Sequence, residues 1–183
     1  MTDDVARLKT RRESCRDAHF RQFWKDEIAR IKKQQRAEFR ALVAEIRQHQ
    51  DLARRLALIN SVDGIGLPTA VAILVRMPEI GQITREQAAA LVGLAPYDED
   101  SGTHVGVRHI AGGRERLRGA LYAAALPAAM RWNPQLIALY QRLTGAGKLH
   151  KVALVACARK LLIFANTVVA RDAPWTSQPS AAV

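Results

Sequence analysis

The chain has 183 residues and carries 28 Lys and Arg against 17 Asp and Glu, a formal charge of +11 and a sequence pI near 10.5. Hydrophobic residues make up 49% and charged residues 25%, which allows one ordinary domain plus an extension and excludes wholesale disorder. The basic excess points to a polyanionic partner, although charge alone does not separate DNA, RNA and an anionic membrane.

Two distant cysteines, Cys15 and Cys157, form no Cys-x-x-Cys pair, so a reducing intracellular compartment is the default. The acidic start lacks a signal-peptide apolar region. The longest apolar run, 120–130, has 11 residues and contains Pro127, against about 20 for a membrane span. A soluble cytoplasmic protein without a membrane partner is expected.

Residues 1–60 hold 15 Lys and Arg, 9 Asp and Glu, and no Gly or Pro. Nothing there breaks a helix. Trp24, Ile28 and Ile31 begin an apolar stripe that Phe39, Leu42, Ile46, His49, Ala53 and Leu56 continue at three-four spacing. Polar residues 32–35 interrupt it, so two helices or one imperfect coiled-coil arm both fit. The spacing predicts an arm over 1–55 that packs or self-associates along the stripe, making a homo-oligomer the expected assembly.

The run Val62-Asp63-Gly64-Ile65-Gly66 ends one helix and opens the next. Thr84 with Gln87 has the form of a capping box for a short helix through Val92. Residues 93–113 contain five glycines and Pro96 and form the least regular stretch. A helix from about Arg114 to Trp132, bent at Pro127, follows. Asn133-Pro134 opens another, and a last helix runs from about Lys148 to Arg171. The tail over 172–183 is expected to be flexible. The fold class is mostly α: a helical arm, then a compact helical domain over 56–171.

Three constellations bear on chemistry. Gly64 and Gly66, two apart between helices, permit a tight turn and let backbone N–H groups approach a phosphate. With their apolar flanks they resemble a helix-hairpin-helix motif, and a plain packing turn explains them equally. The common motif has Pro where Asp63 stands, and an acid facing DNA would weaken phosphate contact. Asp98-Glu99-Asp100-Ser101-Gly102 could offer a nucleophile, a base or a metal ligand, or be ordinary turn chemistry. Finally, residues 101–171 hold 11 Lys and Arg against Glu115 alone, an electrostatic footprint for a phosphate backbone. Arg108, Arg114, Arg118, Lys148 and Lys151 belong to this set. Arg114, Arg118 and Gly112-Gly113 meet at a helix start, where guanidinium forks and backbone donors could converge on one phosphate. Residues 144–149 fail as a P-loop because Arg142 and Leu149 replace the needed Gly and Ser/Thr. His104 and His109 lack partners for zinc.

In order, Leu-Ile-Asn-Ser-Val-Asp-Gly-Ile-Gly, Ala-Ala-Leu-Val-Gly-Leu-Ala-Pro, Asp-Ser-Gly, Ile-Ala-Gly-Gly-Arg-Glu-Arg-Leu-Arg, Arg-Trp-Asn-Pro and Gly-Lys-Leu-His-Lys-Val-Ala-Leu form one series. Over about 56–170 it closely resembles the C-terminal domain of IS110-family (DEDD-type) insertion-sequence transposases. The resemblance implies that Ser101 is the nucleophile attacking a DNA phosphodiester, with Arg108, Arg114 and Arg118 stabilising the developing charge. It implies DNA and a noncoding guide RNA as partners, base pairing supplying specificity. It also implies an N-terminal RuvC-like nuclease domain holding Mg²⁺ through four acids. Only about 55 helical residues precede the matching region, so a truncated or split transposase is expected. No metal or cofactor site of its own is expected, nor activity in isolation. The alternative is a noncatalytic helix-hairpin-helix module that binds nucleic acid.

Overall fold

The computed structural model describes residues 2–97, 109–110 and 112–177. Two compact units divide between Gln50 and Asp51, a few residues before the boundary expected at 55. Arg54 and Arg55 explain the difference. The Arg55 guanidinium donates to the carbonyls of Pro78 at 2.7 Å and Ile80 at 3.0 Å, and Arg54 binds the carboxylate of Asp172. Their charges serve the second unit's packing.

In the first unit, α1 (Thr2–Ser14) packs against α2 (Ala18–Gln48). Asp17 sets the start of α2: its Oδ1 accepts from the N–H of His19 at 2.8 Å and of Phe20 at 3.2 Å, satisfying two otherwise orphaned donors. The Arg11 guanidinium lies 5.7 Å from the Trp24 ring centre, one contact between the helices. The polar residues 32–35 do not break α2. Its apolar face runs through Trp24, Ile28, Ile31, Phe39, Val43 and Ile46, whereas Leu42 is 41% exposed. Val43 therefore replaces Leu42 in the stripe. Steps of four from Ile31 through Gln35 and Phe39 reach Val43, and a step of three reaches Ile46, within the tolerance of a 3.6-residue repeat.

The second unit contains α3 (Gln50–Asn60), α4 (Leu67–Arg76), α5 (Arg85–Val92), a two-residue strand β1 (Pro96–Tyr97), β2 (His109–Ile110), α6 (Glu115–Pro127), a π-helical turn (Ala128–Trp132), α7 (Pro134–Gly145) and α8 (His150–Ala170). The strands pair antiparallel, Pro96 with Ile110 and Tyr97 with His109. Helix α8 is the centre, packed by α5, α6 and α7. Leu154, Cys157, Leu161, Leu162 and Val168 face that core. Buried Ala124, Ala125, Ala128, Ala153, Ala158 and Ala165 keep the helices close, so an aliphatic core forms with few aromatics. By length and composition α8 could cross a membrane, although its sequence contains shorter apolar runs than the one at 120–130. More than half of its most apolar window is buried within the protein.

Local chemistry sets the ends as expected. Thr84 and Gln87 make both bonds of the capping box, at 3.2 and 2.9 Å. Asn133 Oδ1 accepts from the Leu136 N–H at 3.2 Å and Pro134 takes the first helical position. At Pro127 α6 ends and the chain widens into the π-helical turn, closed by the Asn133 N–H to the Ala128 carbonyl at 3.0 Å. Pro127 has no N–H to donate to the Ala123 carbonyl one turn earlier, and the π-helical turn follows it in the chain.

Candidate nucleic-acid interface

Residues 61–66 join α3 to α4. Gly64 has φ +97, and a Cβ there would lie 2.3 Å from Ala128 Cβ. This glycine is needed because the turn presses against the π-helical turn. Gly66 is ordinary extended backbone at the start of α4, and a Cβ there would meet only Pro68 Cδ, at 3.8 Å. The two glycines thus differ: Gly64 faces the core and Gly66 the opening of a helix.

Asp63 is drawn away from a simple phosphate-facing role. Its carbonyl accepts from Asn133 Nδ2 at 3.0 Å, and its Oδ2 accepts from Trp175 Nε1 at 3.2 Å. The Trp175 backbone N–H donates to Ser61 Oγ at 2.9 Å, and its ring centre lies 4.3 Å from that of Phe164. Within the tail expected from residue 172, Asp172 and Trp175 are thus tied to the second unit. Trp175 buries part of its ring while its N–H finds an acceptor, and Asp172 is held by Arg54. That hydrogen bond, more than the accompanying charge, keeps the Asp172 carboxyl below the usual range.

The β1–β2 pairing brings together the two ends of segment 98–108. Ser101 and Arg108 lie in that segment, outside the described residues, as do Asp98, Glu99, Asp100 and His104. Immediately beyond β2, Gly112 and Gly113 lead into Arg114. The Arg114 N–H donates to the Leu91 carbonyl at 3.0 Å. Its Nη2 pairs with Glu79 Oε1 at 2.6 Å, while Nη1 is buried without an acceptor. Burial pushes the Glu79 carboxyl up, but the hydrogen bonds from Arg114 and backbone, with the Arg114 charge, outweigh it and leave it below normal. Arg118 Nη1 donates to the carbonyls of Gly112 and, at 3.3 Å, Val92. Arg114, Arg118 and the glycine pair do meet, but Arg118 fastens the loop to α5. Its guanidinium is partly committed to structure.

Lys148 and Lys151 are exposed around the start of α8. They do not converge with the hairpin, since Gly64 lies against Leu161, ten residues and about 15 Å further along the helix. Near the lysines, the Tyr140 hydroxyl is 2.7 Å from His150 Nδ1, a pair that sequence reasoning misses because its spacing fits no catalytic pattern. Cys157 is fully buried, its thiol pushed up to about 11 by desolvation, as befits a core residue. Among the described residues no three His, Cys, Asp or Glu converge as metal ligands.

Residues 56–141 match the family model described as "Transposase IS116/IS110/IS902 family". An insertion element IS110 protein of 43.6 kDa from Streptomyces coelicolor is 32% identical over 123 residues, covering 66% of this chain and 30% of that protein. A pilin gene-inverting protein from Moraxella bovis is 27% identical over 128 residues, covering 68% of this chain and 40% of that protein. Its namesake from Moraxella lacunata matches to the same extent. The matched region is thus well under half the length of these curated relatives. Through residues 56–141, the chain belongs to the IS116/IS110/IS902 family of transposases.

Proposed function

We propose that this chain supplies the DNA-binding, serine-bearing part of a transposase, with Ser101 as the nucleophile of strand transfer. The observation that carries the reading is the β1–β2 pairing, which gathers the ends of the Ser101 segment beside Gly112-Gly113 and Arg114. In the reaction, Ser101 Oγ forms a bond to phosphorus as one P–O bond of the DNA breaks. The serine proton is given up, and the departing DNA oxygen takes a proton. The phosphoserine link conserves the bond for a second transesterification, which regenerates the serine. Arg108 and Arg114 stand in or next to this segment and would offset the growing phosphate charge. The Gly64–Gly66 turn would follow the DNA backbone in a helix-hairpin-helix manner, while Lys148 and Lys151 at the start of α8, and Arg118, would contact it elsewhere. A guide RNA supplying specificity, a homo-oligomer formed through α2 and a cytoplasmic location complete the proposal. Mg²⁺ would be held by the four-acid nuclease domain that the family resemblance implies.

The substrate class is tested by titrating salt against affinity for a short DNA duplex. About six phosphate contacts predict a loss of roughly 10³-fold between about 50 and 200 mM salt, with little sequence preference. Flat affinity across that range, or no binding at low salt, rejects the reading.

A further inference from the structure

Between the last turn of α4 and the start of α6 lies an open cleft of about 480 Å³, lined by Val75, Arg76, Arg114, Glu115, Arg116 and Leu117. Three arginines and one glutamate, Glu115, line it, and Glu79 pairs with Arg114 from outside the lining. Arg76 and Arg116 are exposed and make no ion pair among the described residues. Arg114 is tied to Glu79 through Nη2 and its Nη1 is buried, so it borders the cleft as a fixed charge while Arg76 and Arg116 supply the accessible donors. The arginines outnumber the nearby acids and repel one another, and their planar forks suit the several oxygens of a phosphate. The cleft's place in the chain matters equally. Arg114 is four residues beyond β2, and its backbone N–H is fixed to Leu91.

We propose that the Arg76–Arg114–Arg116 cleft seats a backbone phosphate of duplex DNA beside the base of the Ser101 segment. The inference rests on the transposase reading above and adds two residues to the expected stabilisers: Arg76, outside the motif series, and Arg116, within it but without a role there. Arg114 joins them from the expected set, and Arg118 is left to hold the loop. Val75, 55% exposed at the rim, offers an apolar edge for the sugar. Arg76 and Arg116 position the DNA and take no part in bond making.

The test compares salt slopes of duplex binding for the full chain, R76Q/R116Q, R76K/R116K and R7Q/R16Q. The last variant removes equal charge from the first unit, where both arginines are exposed. Losing that one neutralised phosphate lowers the slope by about 0.9 and shrinks the affinity loss between about 50 and 200 mM salt roughly 3-fold. R76Q/R116Q shows that change at an unchanged melting temperature. R76K/R116K keeps most of the slope, and R7Q/R16Q alters it less. Equal slopes for R76Q/R116Q and R7Q/R16Q overturn the cleft and leave the transposase reading standing. Absence of wild-type binding overturns both. A parallel titration with an RNA hairpin of equal length separates the nucleic acids: a slope change confined to RNA overturns the DNA assignment.

Discussion

Gly64 and Gly66 look interchangeable in the chain, yet the structure separates them. Gly64 sits at φ +97 against Ala128, whose Cβ cannot swing away, while Gly66 has ordinary backbone and open surroundings. Gly64→Ala combines strain with overpacking and is expected to cost roughly 2–4 kcal/mol. Gly66→Ala should stay within about 0.5 kcal/mol. Denaturant midpoints measure both, and equal losses would contradict the assignment of Gly64 to packing. The turn itself was legible from two glycines between apolar runs. Its partner was not, because Ala128 is remote in sequence and alanine carries no directional signal. The same limit applies to Asp63: an acid at a hairpin tip gives no hint that Trp175 will cover it.

At the scale of elements, caps were the most legible features. Thr84-Gln87 and Asn133-Pro134 act within three residues, so their chemistry needs no tertiary knowledge. Helicity of the arm was legible too, but not that one helix runs unbroken through residues 32–35, and its face was less so. From Phe39 both Leu42 and Val43 satisfy three-four spacing, and leucine's usual burial favoured the wrong one. The structure makes them distinguishable: Val43 is 6% exposed and Leu42 41%. Val43→Lys puts a charge into apolar surroundings and should destabilise the arm by roughly 2–4 kcal/mol. Leu42→Lys should leave thermal stability unchanged but weaken self-association if α2 mediates it. Circular dichroism melts and sedimentation velocity read the two effects separately. Equal melting losses for both variants would contradict the observed face. The π-helical turn after Pro127 was beyond sequence reasoning, since proline announces a break in the ladder without saying how the chain absorbs it.

For the molecule as a whole, helical class and the order of elements followed from periodicity, and the family from an ordered series of motifs. The contacts that assemble the second unit did not. Arg54 with Asp172, Arg55 with the carbonyls of Pro78 and Ile80, and Asn133 with Asp63 join residues too far apart for local patterns. They also change what charge means: several arginines in an apparently solvated basic set serve as internal ties. Arg76 and Arg116, which make no ion pair among the described residues, line a cleft with Arg114, four residues beyond β2. Mass spectrometry of the protein after incubation with cognate DNA, guide RNA, Mg²⁺ and a relative's nuclease domain supplied in trans tests the proposed Ser101 chemistry most directly. The account predicts a DNA phosphate covalently attached to the peptide containing Ser101, surviving denaturation. Ser101→Ala removes a hydroxyl and no charge, so it should abolish the adduct while duplex affinity stays within about 2-fold. An adduct on another residue, or one that persists in Ser101→Ala, would contradict the account.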